Sequence, residues 1–454
     1  MDSFPSSSIR SRRGSSPNSE KVDLSRFLRL IDTIETLPVS GRVTKADGLT
    51  IESDGPPVSV GQTCEVIPEG RRPIEVEVVG FRNHSVVSMP IYDTGGVKLG
   101  DLIRARGQQA CVEVGASMLG RVLDGCGKPL DGKGSLDCDA VYPLTRESRN
   151  PLERRPVKMP LGTGVRCIDG LLTVGRGQRM GIFGGSGVGK STLLGMMARN
   201  TEADVGVIAL VGERGREVNA FIQDDLGLEG LKRSVVVAST SDNPPLMRIR
   251  AALVATAIAE YFSDRGKNIL LVLDSITRVA MSQREIGLAA GEPPSSKGYT
   301  PSVFSLLPRI FERAGNFENG SITGFYTVLV EGDDMNEPVA DAVRGLLDGH
   351  IVLSRPLAWK NHFPAIDVLQ SLSRLMPALA PPAQLEASGK LRDLLSTYHH
   401  AADLIDVGAY HAGSNPKIDL AIEKQPVINS YLRQARDAEV TRESALESLL
   451  KIMS

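Results

Sequence analysis

The stretch GIFGGSGVGKST, residues 181–192, constrains the fold of this 454-residue chain more than any other segment. It follows the apolar run RMGIF and leads into KSTLLGMMARN, so glycines connect a predicted strand to a predicted helix. This context and the G-x-x-x-x-G-K-[ST] spacing are typical of phosphate-binding loops. Glycines let backbone N–H groups turn toward phosphate oxygens, and the helix N-terminus adds partial positive charge. The sequence therefore predicts a nucleotide site on an α/β sheet.

The loop also predicts which residues contact the nucleotide. Lys190 would reach the β- and γ-phosphates, and the Ser191 hydroxyl would ligate Mg²⁺. A nucleotide and Mg²⁺ are accordingly the expected ligands. The other expected contacts are Gly184, Gly185, Ser186, Gly187, Val188, Gly189 and Thr192.

Composition shifts along the chain predict five segments. Residues 1–21 are rich in serine, arginine and proline and are expected to be disordered. The periodicity of residues 22–37 predicts an amphipathic helix, which would pack on its own domain, dock a partner helix or lie on a membrane surface. Short β segments punctuated by glycine and proline over 38–106 predict a small β-barrel. Strands and helices alternate over 107–373, which predicts a mostly parallel sheet, and 374–454 shows only helical periodicity.

Overall composition narrows the functional class. The chain has 52 basic and 54 acidic side chains, so charge gives no reason to expect binding along a nucleic-acid backbone. The five cysteines include no CxxC pair, which argues against structural zinc and a disulfide framework. The sequence has neither a bilayer-length apolar run nor a signal peptide. We therefore expect a cytoplasmic protein.

Hydrolysis requires further groups around the phosphates. The apolar strand NILLVLD ends at Asp274, where a carboxylate is expected to order the Mg²⁺ shell. The strand VGVIALVG is followed by Glu213, the candidate base for the attacking water, with Glu217 as an alternative base or a further Mg²⁺ carboxylate. An arginine could stabilise transition-state charge, and composition does not rank the candidates. These are Arg278, Arg355 and Arg374.

Several segments together resemble the type III secretion ATPases, relatives of the rotary ATP synthase catalytic subunit. They are GGSGVGKST, VGERGREV, LLVLDSITRVAMSQREIGLAAGEPP and EGDDMNEPVADAVRGLLDGHIVLSR. The likeness covers roughly residues 25–454, and LPVSGRVTK and IDVGAYHAGSNPKIDLAI resemble the flagellar branch. The resemblance implies a multi-domain α/β protein: a β-barrel, a RecA-like P-loop core and a helical C-terminal domain.

The resemblance also implies roles for residues around the phosphates. Glu213 matches the catalytic glutamate and Arg214 its neighbouring arginine. Arg374 matches the arginine finger supplied by the adjacent subunit, and Arg278 matches a second arginine near the γ-phosphate. Lys190, Ser191 and Asp274 match the P-loop lysine, the Mg²⁺ hydroxyl and the Walker B carboxylate.

The resemblance also implicates two aromatic residues in binding the adenine base. Phe363 stands where relatives stack an aromatic on the base, with core packing as the alternative. Tyr410 either closes the other side of the base or has no part in binding it.

The resemblance further implies a homohexamer that hydrolyses ATP to unfold export substrates and release them from chaperones. The implied partners are a stator-like regulator (FliH) at the N-terminal helix, a central coiled-coil stalk protein (FliJ) facing residues 331–338, the export gate and substrate–chaperone complexes. The chain would lie peripherally at the inner-membrane export apparatus. The alternatives are an injectisome ATPase, a Rho-type nucleic-acid translocase and a non-catalytic subunit of a rotary motor.

Overall fold

Valine- and isoleucine-rich strands at the start of the described chain close into a barrel. The structure is a computed structural model that describes residues 39–454, except residues 93–94, 147–149, 331 and 333 and the side chain of Gln108. The predicted leader and the predicted docking helix lie outside the described residues. The barrel strands are β1 (Ser40–Asp47), β2 (Thr50–Ser53), β3 (Gln62–Ile67), β4 (Ile74–Arg82), β5 (Ser85–Pro90) and β6 (Leu102–Gln109).

The barrel closes in the order β1-β2-β5-β4-β3-β6, with antiparallel neighbours throughout. Alternate residues such as Val76 and Val78 point inward and are buried, as expected when one face of each strand fills a small barrel. The predicted β-barrel is confirmed. The last barrel strand, β6, pairs with β3 as far as Gln109, three residues beyond the expected end of the barrel at residue 106.

The next part of the chain alternates strands and helices, as the sequence predicts. The strands are β7 (Cys111–Val114), β8 (Val122–Leu123), β9 (Ala140–Pro143), β10 (Pro160–Leu161), β11 (Val174–Gly175), β12 (Arg179–Gly184), β13 (Val205–Glu213), β14 (Ser234–Thr240), β15 (Asn268–Asp274), β16 (Gly315–Asn316), β17 (Ser321–Leu329), β18 (Gly349–Leu353) and β19 (Ile366–Ser373). The helices are α1 (Arg166–Leu171), α2 (Lys190–Asn200), α3 (Gly215–Ala220), α4 (Gly227–Lys232), α5 (Pro245–Asp264), α6 (Ile276–Ala290), α7 (Pro301–Phe311), α8 (Pro338–Leu346) and α9 (Arg355–Trp359). Short 3₁₀ turns cover Ala116–Met118, Pro151–Glu153 and Ser296–Gly298, and a π-helical turn covers Phe221–Leu226.

The central sheet has the order β19-β18-β12-β17-β15-β13-β14-β8, with β16 paired to β17. Its pairs are parallel except β18–β19 and β16–β17. Along β13, Val207 and Ala209 pack into one hydrophobic core and Ile208 and Leu210 into another, because successive side chains point to opposite faces. The sheet is therefore covered on both sides, which explains its continuous apolar strands.

Strand order brings distant parts of the sequence to one edge of this sheet. β12, β17, β15 and β13 are consecutive neighbours and run parallel, so their carboxyl ends meet at the same edge. The phosphate loop comes directly after β12, Asp274 is the last residue of β15 and Glu213 is the last residue of β13. The fold thus assembles one site from segments up to 90 residues apart.

Helices form the C-terminal part of the chain, as predicted. They are α10 (Met376–Leu379), α11 (Pro382–Asp406), α12 (Pro416–Leu432) and α13 (Arg442–Met453). The segment INSYLRQARDAEVTRESALESLLKI is split between α12 and α13, and Thr441 caps α13 by accepting a hydrogen bond from the Ser444 amide. Gln384 joins α11 to the core by donating to the carbonyls of Asp169 and Gly170. Within the described residues, no helix combines the length and apolarity needed to cross a membrane.

Candidate active site

The phosphate loop is held by one buried side chain and two glycine turns. Val188 is buried among the residues around α2, whereas Gly187 and Gly189 have φ angles of +79° and +85°, which glycine adopts without strain. Helix α2 begins at Lys190 directly after Gly189. Among the described residues, no side chain caps this helix, so its first N–H groups remain available to a phosphate.

Lys190 and Asp274 form the tightest ion pair of the site. The Lys190 Nζ atom lies 2.6 Å from Asp274 Oδ1. The same oxygen accepts a hydrogen bond of 2.7 Å from the Thr327 hydroxyl on β17. Asp274 is buried, so these two partners hold its carboxylate beside the phosphate loop.

Glu213 lies on the other side of the lysine. Its Oε1 atom is 3.7 Å from Lys190 Nζ, and this buried oxygen has no hydrogen-bond partner among the described residues. Burial raises the pKa of Glu213 above its usual value; Lys190 opposes the shift, while the charge of Asp274 and a hydrogen bond with Glu217 add to it. A buried carboxylate with a free acceptor oxygen and a raised pKa is suited to take a proton from water.

The other predicted residues near this carboxylate are more exposed. Arg214 and Glu217 form an ion pair of 3.7 Å on the surface, and Glu217 also contacts Glu213. Ser191 is exposed in the first turn of α2, and Thr192 hydrogen-bonds the Asp225 side chain. The structure therefore brings Glu217 to the site and directs the Thr192 side chain toward Asp225.

Two of the three candidate arginines lie near the phosphate loop in the same chain. Arg278, in the first turn of α6, packs over Gly212: a Cβ atom placed on that glycine would lie 3.0 Å from Arg278 Cβ. Arg355 packs over Gly185, where a Cβ atom would lie 2.2 Å from Nη2. Composition did not rank these two against Arg374, because no local pattern encodes which loop crosses the phosphate loop; the resemblance alone assigned Arg374 to the neighbouring subunit's site.

Arg374 lies at the opposite edge of the sheet. β19 runs antiparallel to β18 and pairs Ser373 with Gly349, at the amino end of β18. The exposed Arg374 side chain donates to the Arg344 carbonyl at 3.3 Å. The length of β18 separates it from the phosphate-loop edge by roughly 13 Å at about 3.3 Å per residue. Arg374 is thus displayed on the surface, away from Lys190 of its own chain.

The two predicted adenine contacts have different surroundings. Phe363 lies against the phosphate loop, with ring atoms 3.2 Å from a Cβ atom placed on Gly189, and is 40% exposed. It borders an open cavity of about 790 Å³. The cavity is also lined by Asn361, Pro426, Asn429, Ser430, Arg433, Gln434, Ala435 and Arg436. Tyr410 lies in the α11–α12 loop, where its hydroxyl donates to the Asn415 carbonyl and to Asp419, both at 3.0 Å, and it does not line this cavity.

The donor set at this edge fits a hard divalent cation. Carboxylate and hydroxyl oxygens are the ligands that Mg²⁺ prefers, and it usually takes only one or two of them from the protein. The described residues contain no cluster of three or more histidine, cysteine or acidic ligands. Ser191 and Asp274 would be the oxygen ligands beside the loop, and two protein ligands fit a cation held largely by phosphate and water.

Comparison with known proteins places this site in a family. Residues 164–373 match the nucleotide-binding domain of the ATP synthase alpha/beta family, and residues 380–451 match the T3SS EscN ATPase C-terminal domain. A flagellum-specific ATP synthase of Bacillus subtilis is 53% identical over 93% of this chain and 98% of its own length. A type 3 secretion system ATPase of Xanthomonas euvesicatoria is 49% identical over 91% of this chain and 93% of its own.

A solved structure shares both the fold and the sequence. It is the assembled ATPase EscN in complex with its central stalk EscO from the enteropathogenic E. coli type III secretion system, with 42% identity and a TM-score of 0.84. The superposition covers 91% of this chain and all of that one. Together with the site geometry, these similarities show that the chain is an ATP-hydrolysing enzyme and belongs to the family of type III secretion ATPases.

Proposed function

We propose that the chain hydrolyses ATP with Mg²⁺ to energise type III export of flagellar proteins, by unfolding export substrates and releasing them from chaperones. One observation carries the hydrolytic assignment: the buried Oε1 atom of Glu213 has no hydrogen-bond partner among the described residues and lies 3.7 Å from the Nζ atom of the phosphate-loop lysine. From this position the Glu213 carboxylate can take a proton from a water that attacks a phosphate held in the loop.

The reaction follows from the order of charges along this edge. Water attacks the γ-phosphorus and its proton passes to Glu213, while the bond from the γ-phosphorus to the bridging oxygen breaks and ADP leaves. Lys190 and the first N–H groups of α2 offset the charge of the phosphates. Ser191 and Asp274 would hold Mg²⁺, which when bound neutralises phosphate charge.

Arg374 supports a site that two subunits complete. Its exposed position at the far edge of the sheet leaves it unable to reach the phosphate loop of its own chain but available to that of a neighbour. The related EscN is described as assembled and as bound to a central stalk. We infer that this chain forms a homohexamer around a coiled-coil stalk, with Arg374 acting across each interface.

Mixing two inactive variants tests that arrangement. Lys190→Ala removes the phosphate-loop lysine, and Arg374→Ala removes the arginine that serves the neighbouring site. In a mixed ring, the intact loop of an Arg374→Ala subunit would meet the intact arginine of a Lys190→Ala subunit. ATP hydrolysis should reappear on mixing and reach a substantial fraction of the native rate. No recovery in rings shown by light scattering to be mixed would rule out Arg374 acting in trans.

The flagellar assignment is separate from the chemistry. The similarity to a flagellum-specific ATP synthase supports it, whereas the similarity to EscN and the Xanthomonas ATPase keeps an injectisome role as the alternative. Deleting the gene in its host should abolish flagellar assembly and motility, and a Glu213→Gln allele should not restore them. Loss of effector secretion with intact motility would favour the injectisome.

We also propose a cytoplasmic location, peripheral at the inner-membrane export apparatus, with a stator-like regulator, the export gate and substrate–chaperone complexes as partners. Fractionation of the host should recover the chain with the membrane only while the export apparatus is present. RNA added to the purified enzyme should leave its ATPase rate unchanged, which separates this proposal from a Rho-type translocase.

A further inference from the structure

One guanidinium lies directly against the backbone of the phosphate loop. A Cβ atom placed on Gly185 would lie 2.2 Å from Nη2, 2.7 Å from Nε and 2.8 Å from Cζ of Arg355. Because these three atoms are the nearest to that Cβ position, the guanidinium occupies the space that a side chain at residue 185 would fill. Any side chain at position 185 would displace it.

The backbone around Arg355 holds it in this place. Arg355 is the first residue of α9, and the Ser354 hydroxyl caps the helix by accepting from the Leu357 amide. The Ser354 amide donates to the Ala365 carbonyl at 2.8 Å, which fixes the end of β18. The backbone of Arg355 is therefore held between the hydrogen-bonded end of β18 and the capped first turn of α9.

The same segment contacts the loop on either side of the arginine. Leu353 packs beside Gly184, where a Cβ atom would lie 2.9 Å from Leu353 Cβ. Phe363, at the other end, packs on Gly189. Residues 353–363 thus contact the phosphate loop from Gly184 to Gly189, and Arg355 contacts it at Gly185.

Arg355 and the phosphate-loop lysine lie on different parts of the loop. Lys190, at the start of α2, lies 2.6 Å from Asp274 and 3.7 Å from Glu213, whereas the Arg355 guanidinium packs on the backbone of Gly185. Phosphates bound in the loop would bring several negative charges to this backbone. A planar cation already seated there can hold the loop in the shape that accepts them, which a flexible ammonium group does less well.

We propose that Arg355 is a positioning residue that holds the Gly184–Gly185 end of the phosphate loop in its nucleotide-binding shape, acting within its own chain. This inference rests on the proposed ATPase function, and it adds a cis arginine to the trans role of Arg374. Arg355 acts through the loop backbone, so its removal should weaken nucleotide binding more than it slows the chemical step.

Steady-state kinetics and direct binding test this role. Arg355→Met keeps much of the aliphatic stem and removes the cation; it should raise the KM for ATP about tenfold or more and reduce kcat less. Arg355→Lys should recover only part of the affinity, and free guanidinium, but not sodium chloride at equal ionic strength, should lower the KM of an Arg355→Ala variant. Arg104→Ala, an exposed arginine on the barrel, is the matched control and should behave as the native protein.

A complementation experiment separates action in cis from action in trans. Mixing Arg355→Met with Lys190→Ala should not restore activity at low ATP, because both lesions then damage the phosphate loops of their own subunits. The Arg374→Ala and Lys190→Ala mixture is the positive control. Recovery with Arg355→Met, or an unchanged KM in that variant, would overturn the inference.

The outcomes also distinguish this inference from the proposed function. A native protein without ATPase activity would remove the proposed function, whereas an active native protein with an unchanged Arg355→Met variant would remove only the role of Arg355. Affinity for a fluorescent ATP analogue and the thermal midpoint should be measured for each variant. An Arg355→Met variant that binds the analogue with native affinity contradicts the inference, and if Arg355→Met does not fold, the Arg355→Lys affinity decides in its place.

Discussion

The Lys190 Nζ atom lies 2.6 Å from Asp274 Oδ1, although 84 residues separate the two along the chain. The pair exists because β12 and β15 both flank β17 and end at the same edge of the sheet. Glu213 approaches the same nitrogen at 3.7 Å. One cation therefore faces two carboxylates, so each carboxylate can be tested by removing its charge while keeping its shape.

Glu213→Gln should abolish most of the ATPase activity, because the amide keeps the size of the side chain but cannot accept the proton of the attacking water. We expect a fall in kcat of about 10²–10⁴, the usual contribution of a general base. Phosphate release by the assembled protein measures it. Glu217→Gln should reduce kcat much less, and the reverse order would assign the base to Glu217.

The pH profile of kcat should report the environment of Glu213. The base must be ionised to act, so activity is lost as the pH falls through its pKa. Burial raises that pKa, and we therefore expect the acid limb of the profile to lie above the ordinary glutamate value of 4.5. Glu217→Gln should move this limb to lower pH, because an amide donates a hydrogen bond to the ionised carboxylate. A limb at or below the ordinary value would contradict the assignment.

Phe363→Ala should weaken ATP binding, since the ring lies against Gly189 at the mouth of the adjoining cavity. Loss of stacking on a base costs about 1–3 kcal/mol, which corresponds to a rise in KM of about 5- to 150-fold. Phe363→Tyr should retain the affinity. Tyr410→Ala should not raise the KM, because its hydroxyl is engaged with Asn415 and Asp419; a rise equal to that of Phe363→Ala would place Tyr410 at the base.

Arg313→Met should strongly destabilise the core without touching the active site. Arg313 makes two hydrogen bonds to the buried Glu260 carboxylate, at 2.9 Å and 2.8 Å, and one to the Leu144 carbonyl. Removing the cation leaves the buried carboxylate with only the longer, half-exposed contact to Arg146, at 3.9 Å, which costs up to about 3–5 kcal/mol of unfolding free energy. Urea unfolding of the native and variant proteins measures the loss.

Two further variants control for that prediction. Replacing Glu260 as well, in a Glu260→Met/Arg313→Met double variant, should recover much of the stability because no unpaired charge remains. Lys232→Met breaks an exposed ion pair with Glu229 and should cost less than about 1 kcal/mol. Equal losses in the buried and exposed variants would show that burial does not set the cost.

The sequence alone established the phosphate loop and the strands beside it. Glycine spacing and apolar runs encode local backbone shape, so β12, the turn at Gly187 and Gly189, and the start of α2 at Lys190 follow from neighbouring residues. The carboxyl ends of parallel strands also share an edge, which is why Asp274 and Glu213 could be placed near the loop. The split of the last helical segment at 433–441 was less visible, because a cap such as Thr441 interrupts a periodicity that otherwise continues.

The resemblance gave Arg374 and Arg278 their expected roles, whereas only the tertiary structure showed where the arginines lie relative to the phosphate loop. Arg355 and Arg374 lie within 20 residues of each other, yet one covers Gly185 and the other lies at the far edge of the sheet. The difference arises because β19 reverses direction after α9, and no periodicity records the direction in which a strand pairs. The position of a residue within its strand, turn or helix can be predicted from the local sequence pattern. Contacts between distant segments depend on strand order and direction, which the packing of the whole domain determines.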